Sequence, residues 1–286
     1  MHQSSVYMAD LRITSLYIHP VKSLAGISVS SFALTDRGPE HDRRWMLVDP
    51  QGRFLTQREY PQLTLLATSI QGDTLVIYER ADPQEPLMLP LRPAGGASLE
   101  VTVWEDTCEA LHPSPAASAW LSLRLGITVM LIYMPEASHR RVEPDYARNE
   151  ELTSFSDGYP LLLIGQASLD DLNTRLPAPV AMERFRPNIV FSGGSPYQED
   201  SWLSFCIGPL LFHAVKPCAR CVLTTIDPIT GERGPEPLRT LATYRSRQHK
   251  VLFGMNLLYE GVGHLSVGDA LQVVSASDPT FIPPNL

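Results

Sequence analysis

Val215-Lys216-Pro217-Cys218-Ala219-Arg220-Cys221-Val222-Leu223-Thr224 sets a Cys-x-x-Cys pair against an arginine. An apolar run (Leu210, Leu211, Phe212) precedes it and a β-branched run (Val222, Thr224, Thr225, Ile226) follows. That context predicts extended structure and puts Cys221 at a strand edge. A positive charge beside a thiol favours the thiolate, which is both a nucleophile and a soft-metal ligand. A zinc site needs four ligands, and Cys108 and Cys206 form no second Cys-x-x-Cys to complete one. A thioredoxin-type pair opens a helix, whereas the residues after Cys221 favour a strand. Spacing alone leaves a packed, inert thiol pair as open as a functional one.

Composition narrows the class. At 286 residues the chain is long enough for two units or one large β-rich unit. A formal net charge of -8 argues against a general nucleic-acid binder, since phosphate backbones are held by excess Lys and Arg. Any anion site must therefore be a local exception. Four cysteines without disulfide spacing, and no apolar signal run in Met1 to Asp10, predict a cytoplasmic protein. No apolar stretch approaches the ~18 residues that span a bilayer, so no membrane insertion is expected.

Short apolar segments recur between Gly, Pro and Asp punctuation: Leu11 to Ile18, Trp45 to Val48, Leu75 to Tyr78, Leu99 to Trp104 and Thr128 to Tyr133. This is the rhythm of strands. Asp49-Pro50-Gln51-Gly52 predicts a hairpin turn between Trp45 to Val48 and Arg53 to Thr56. Two helices are expected. One has Ser114 as N-cap, Pro115 in its first turn and Gly126 as its stop; the other runs from Ser168 to Leu176. A polar stretch, Glu136 to Leu152, breaks the strand pattern and is the expected boundary between units at 9–135 and 136–275. Residues 276–286, with Pro279, Pro283 and Pro284, are expected to be a flexible tail.

The opening stretch, continued to Pro228, has company along the chain. Pro20-Val21-Lys22-Ser23, Asp42-Arg43-Arg44-Trp45, Phe155-Ser156-Asp157-Gly158-Tyr159-Pro160, Arg184-Phe185-Arg186-Pro187-Asn188, Glu199-Asp200-Ser201-Trp202, Phe253-Gly254-Met255-Asn256 and Val267-Gly268-Asp269 follow one another in order. Together they resemble the MOSC family, named after the C-terminal domain of molybdenum cofactor sulfurase. The similarity is to the branch of the mitochondrial amidoxime-reducing component and the bacterial N-hydroxylated-base reductases. It implies a mainly β protein with a few helices (α+β), built from an N-terminal MOSC β-barrel-like domain and a MOSC β-barrel domain.

The resemblance also implies a chemistry. The family's cofactor is molybdenum-molybdopterin, a molybdenum atom held by the dithiolene of a pterin that carries a phosphate. Cys221 matches the metal ligand and is the expected catalytic residue, and Cys218 does not match it. Lys22, Ser23, Arg43, Gly158, Tyr159, Arg186, Ala219, Arg220 and Asn256 match cofactor-binding positions. Arginine's fixed fork suits a phosphate and a pterin's carbonyl edge. Arg44 is left undecided as Arg43's neighbour, and Met255 stands where bacterial relatives often have glutamine. His19, His41, His139, His213, His249 and His264 lack metal-ligand spacing, and Asp227 falls in a turn just after the ligand strand.

The activity implied is reduction of hydroxylamines, amidoximes or N-hydroxylated nucleobases. Rival readings are a cofactor carrier without turnover, and sulfur transfer. The sulfurase's desulfurase is a large additional pyridoxal-phosphate domain, for which 286 residues leave no room. Some bacterial relatives carry a ferredoxin domain. Here no cysteine follows Cys221, so no iron-sulfur cluster is expected in this chain. Nor is there a glycine-rich dinucleotide fingerprint. Electrons are expected from a separate donor protein, a flavin reductase with a ferredoxin-like or haem carrier.

Overall fold

The structure, a computed structural model, describes residues 10–277. Most of its regular structure is strand. The largest sheet orders its strands as Leu271–Ala276, Trp202–Ile207, Leu210–Arg220, Lys250–Glu260, Leu161–Gly165, Ile189–Ser192, Arg12–Ile18 and Ile27–Val29. Leu161–Gly165 and Ile189–Ser192 run parallel, which requires a crossover connection; the helix Gln166–Arg175 lies in it. All five residues of Leu161–Gly165 are buried, because this strand has packing on both faces. One face carries Leu16, Phe205, Phe212 and Leu257, with Phe205 and Phe212 stacked 5.2 Å apart. The other carries Ile164, Phe185 and Phe253 beneath the helix side chains Leu169 and Leu172.

A second sheet orders Trp45–Val48, Met130–Tyr133, Asp106–His112 and Ala97–Val103; a third joins Leu66–Gln71, Thr74–Glu79 and Leu87–Pro90. The helix Pro115–Leu125 covers their shared core through Ala117, Leu121 and Leu125. Its ends follow the sequence pattern. Ser114 Oγ accepts from the Ala117 N–H at 3.1 Å, and Gly126 closes the last turn at φ 68. The other expected helix spans Gln166–Arg175 rather than Ser168 to Leu176, and a third, Leu238–Tyr244, had no sequence signal strong enough to read.

The division at residue 136 remains our proposal, and the strand pairing cuts across it. Arg12–Ile18 and Ile27–Val29 belong to the largest sheet, and Ser31–Leu34 pairs with Gly263–Ser266. Of the proposed tail, Ala276 is the end of an ordered strand and the Ser277 N–H donates to Ser201 O at 2.7 Å. Residues 278–286 lie outside the described residues.

Two local expectations are corrected. The turn Asp49 to Gly52 forms, with the Gly52 N–H on Asp49 O at 3.0 Å, and the chain returns antiparallel through a Val48–Phe54 bridge and Leu55 N–H on Leu47 O at 2.8 Å, but this return is a bridge and not a full strand. Trp45–Val48 finds its ladder partner in Met130–Tyr133. The β-branched run after Cys221 is not a strand but a 3-10 turn, Val222–Thr225. Threonine hydroxyls explain it: Thr224 Oγ1 donates to Cys221 O at 3.0 Å and Thr225 Oγ1 to Val222 O at 2.7 Å. These side-chain bonds favour the turn over the ladder. Cys221 therefore caps a turn at the end of the strand Leu210–Arg220.

The strand Leu210–Arg220 is irregular. Its register against Lys250–Glu260 shifts between Ala214 and Lys216 and again between Pro217 and Ala219. Pro217 has no N–H for the ladder, and such breaks locally increase twist. Opposite the second shift lies Gly254 at φ 82, where an added Cβ would sit 2.7 Å from Ile164 Cγ1 and 2.9 Å from Leu163 O. Gly72, at φ 56, has nothing within 4 Å of that position. Gly72→Ala is expected to cost only its left-handed backbone, about 1 kcal/mol. Gly254→Ala adds overpacking of about 1–3 kcal/mol. Urea midpoints for the two variants check the difference, and equal midpoints would contradict it.

Candidate functional site

One cavity of about 330 Å³ collects residues from across the chain. Lys22 and Ser23 reach it from the turn after the first strand, where Lys22 N–H is fixed on Trp45 O at 2.8 Å. Arg43, Arg186 and the turn of Gly158 and Tyr159 also line it, as do Ala219, Arg220 and Cys221 with Asn256 on the neighbouring strand. Thus Cys221 and the nine residues matched to cofactor-binding positions all line this cavity. Ser23, Arg43 and Arg186 each hold a positive φ, of 68, 50 and 54. Non-glycine residues in that region cost of order 1 kcal/mol or more and are concentrated where function fixes the chain.

The electrostatics invert the chain's overall sign. Six basic side chains line the cavity (Lys22, Arg43, Arg58, Arg186, Lys216, Arg220) against two acidic ones, Glu143 and Asp157. Lys22 Nζ donates to Asp157 Oδ1 at 2.6 Å, and Arg43 pairs with the buried Asp42. Arg186 and Arg220 differ. Arg186 Nη1 donates to Leu24 O at 2.6 Å, while Arg220 donates through Nε to Phe253 O at 2.7 Å and through Nη1 to Phe185 O at 2.9 Å. Both are held by neutral carbonyls. Arg220 Nη2 is buried with no hydrogen-bond partner.

These surroundings strain the cationic forms. Burial pushes Arg186 down to about 9, with the charge of Arg43 adding to it and Asp42 and Asp157 opposing. Burial likewise lowers Lys22 to about 8 against the pull of Asp157. For the Asp157 carboxyl, burial acts upward but is outweighed by Lys22, Arg58 and Arg43, which hold it below the ordinary carboxylate range. An anion entering the cavity relieves each cation at once.

Several sequence expectations take a different physical form here. The guanidinium beside Cys221 is not Arg220, which turns away, but Arg58, whose Nε–H donates to the sulfur at 3.0 Å. Sequence reasoning missed Arg58, Asp157 and Lys216 as cavity residues, although Asp157 and Lys216 sit inside motifs it had quoted. Tyr159 gives its hydroxyl to Glu143 at 3.2 Å. Arg44 donates to Met134 O at 2.6 Å and pairs with Glu136, away from the cavity. Asp227 is occupied by Arg184 at 2.7 Å and by the N–H groups of Ile229 and Thr230. Met255 is buried in the core, and Cys218 is a free, half-buried thiol that burial pushes up.

Among known families, the model described as the MOSC N-terminal beta barrel domain matches residues 10–128, and that of the MOSC domain residues 150–272. The chain is 34% identical over 280 residues to mitochondrial amidoxime-reducing component 1 of Homo sapiens, covering 92% of this chain and 82% of that protein. The chain belongs to the MOSC family. Mitochondrial amidoxime reducing component 2 of Rattus norvegicus is 34% identical, covering 90% of this chain and 81% of that protein. Molybdenum cofactor sulfurase of Oryza sativa subsp. japonica is 33% identical, covering 91% of this chain and 34% of that protein. This MOSC chain thus corresponds to about a third of the sulfurase. Among its described residues no helix is long and apolar enough to cross a membrane.

One buried group makes the site sensitive to acid. His19 lies beneath Arg43 and Arg186 and is lowered to about 3, chiefly by burial and then by the two arginine charges. In the unfolded chain it takes a proton near 6.5, so between these values the unfolded state binds more protons and stability rises with pH. The contribution is complete above about pH 6.5 and is lost as pH falls toward 3, at about 1.4 kcal/mol per pH unit. NMR titration of the folded protein should show the His19 imidazole neutral at pH 4.5. A His19 midpoint near 6 would contradict this.

Proposed function

We propose that this MOSC protein is a molybdenum cofactor-dependent reductase of N-hydroxylated compounds, with Cys221 as the protein's ligand to the metal. One observation carries the reading: a free Cys221 sulfur lines the same cavity as two guanidinium groups, Arg186 and Arg220, that are anchored by backbone carbonyls and form no ion pair with a carboxylate among the described residues. A soft thiolate beside uncompensated arginines fits an anionic cofactor that brings its own metal. Among the described residues no group of three or more His, Cys, Asp or Glu side chains could hold a metal ion unaided. A single cysteine then suffices, because the dithiolene supplies the other soft donors. The relatives named as amidoxime-reducing components support the choice of substrate class.

When bound, the cofactor supplies a metal able to accept oxygen from an N–O bond and to deliver two electrons. The chain's residues divide the remaining work. Arg186, Arg220, Lys22 and Arg43 offer charge-assisted bonds to phosphate and to the pterin's carbonyl edge. Ser23 and Asn256 offer neutral donors, and Gly158 and Ala219 leave the backbone accessible. Tyr159, tied to Glu143, walls the opening instead of offering its hydroxyl. Electrons come from a separate donor protein, a flavin reductase working with a ferredoxin-like or haem carrier, and the protein works in the cytoplasm. The four free thiols agree with a reducing compartment.

Protein purified from a host that makes the cofactor should contain molybdenum and should reduce an amidoxime with a chemical electron donor. Cys221→Ser replaces a soft thiolate by a protonated hydroxyl and is expected to abolish turnover, whereas Cys218→Ser keeps most of it. Equal loss in both variants would remove the assignment; bound metal without turnover would favour a carrier.

Arg186→Ala tests the anion site separately. Losing a charge-assisted bond of roughly 1.5–3 kcal/mol should lower cofactor affinity about tenfold or more. The apoprotein's melting temperature should change little, because burial penalises the Arg186 charge, with Arg43 adding to it, and this offsets the bond to Leu24 O. A large fall would mark Arg186 as structural.

A further inference from the structure

We infer that Arg58 is a positioning residue for Cys221, whose hydrogen bond to the sulfur limits how strongly that thiolate donates to a bound metal. The inference rests on the reading of Cys221 as a metal ligand.

The contact is built rather than incidental. Arg58 Nε lies 3.0 Å from Cys221 Sγ across 163 residues of sequence. Its guanidinium sits over the Trp104 ring, with Cζ 4.4 Å from the centroid, and Nη2 is 3.6 Å from Asp157 Oδ2. Trp104 Nε1 in turn donates to Asp157 Oδ1 at 3.3 Å, so the group below the guanidinium and the group beside it are tied together. Arg140, itself buried, fixes both supports. It donates to Asp106 in the hairpin that carries Trp104, at 2.8 Å, and to Ser156 O, at 2.6 Å, next to Asp157. The backbone of Arg58 is also held: the Glu59 and Tyr60 N–H groups donate to Thr56 O at 3.1 and 2.9 Å, and Arg233 Nη2 donates to Arg58 O at 2.6 Å. Cys218, the other thiol of the cavity, has only a 4.0 Å contact to Ala219 O.

A donor and a positive charge on a metal-bound sulfur withdraw electron density and favour the reduced, more negative site. Arg58 is thus suited to raise the reduction potential of the metal. Lysine retains the charge but not the planar Nε–H fork.

Two measurements on the full chain decide it. The first needs no cofactor: in proton–nitrogen NMR spectra the Arg58 Nε–H should exchange slowly with solvent, and Cys221→Ala should speed that exchange about tenfold or more. Unchanged exchange overturns the contact. The second uses molybdenum-loaded protein and a spectroscopic redox titration of the metal. The potential should fall in Arg58→Leu and fall less in Arg58→Lys. Equal potentials in all three proteins overturn the inference, and so does loss of molybdenum from both variants with wild-type melting, which would make Arg58 a cofactor anchor. Wild-type protein that takes up no molybdenum defeats the proposed function instead, and the first measurement still decides whether Arg58 holds Cys221.

Discussion

Six cations around a cavity of about 330 Å³ must be held together against their mutual repulsion. Two solutions operate side by side. Asp42, itself buried, faces Arg43, and Asp157 faces Lys22 and Arg58, which neutralises part of the charge in place. Arg186 and Arg220 are instead anchored by neutral carbonyls, which fix their orientation without cancelling their charge. The result is a residual positive potential in a chain whose formal charge is -8. An acidic exterior with a basic cavity keeps non-specific polyanions away and concentrates a small anion inside.

Such an arrangement needs rigid supports drawn from distant segments. The largest sheet brings Arg220 and Asn256 together on paired strands and sets the turn of Lys22 at the end of another. The smaller sheets contribute through their loops: Arg43 just before Trp45–Val48, Arg58 after the Asp49 turn, and Trp104 at the tip of the Ala97–His112 hairpin. No single unit builds the cavity. This accounts for strands before Leu34 being paired into the C-terminal part of the chain: a site shared between two parts is only as precise as their attachment.

Legibility followed the range of the interactions. Local devices were readable, as with the Ser114 cap, the Gly126 stop and the Asp49 to Gly52 turn, since each depends on residues within a few positions. Strands such as Trp45–Val48 and Met130–Tyr133 were readable as short apolar runs bounded by turn residues. The 3-10 turn after Cys221 was not, because β-propensity and threonine back-bonding compete and only the backbone geometry at Cys221 decides. The cavity residues were legible through family resemblance, but their partners were not. Arg58 carries no local signal at all; its role depends on a sulfur that is remote in sequence. The Cys–Arg juxtaposition in Arg220-Cys221 pointed to a guanidinium beside the sulfur, and the one found there is Arg58.

The two cysteines of one Cys-x-x-Cys pair show how the backbone assigns roles to identical side chains. Cys218 sits in the register shift, opposite Gly254, and packs against the core that includes Phe185 and Phe253, where burial favours its neutral form. Cys221 lies past the end of the ladder, at the N-cap of a turn with extended backbone, and its sulfur meets a guanidinium. Three residues along a flat strand would separate two side chains by face alone. Here the Pro217 break and the threonine-bonded turn separate them by environment as well, one held among apolar groups and one beside a fixed positive charge. That difference gives the sulfur of Cys221, and not that of its neighbour, a guanidinium partner.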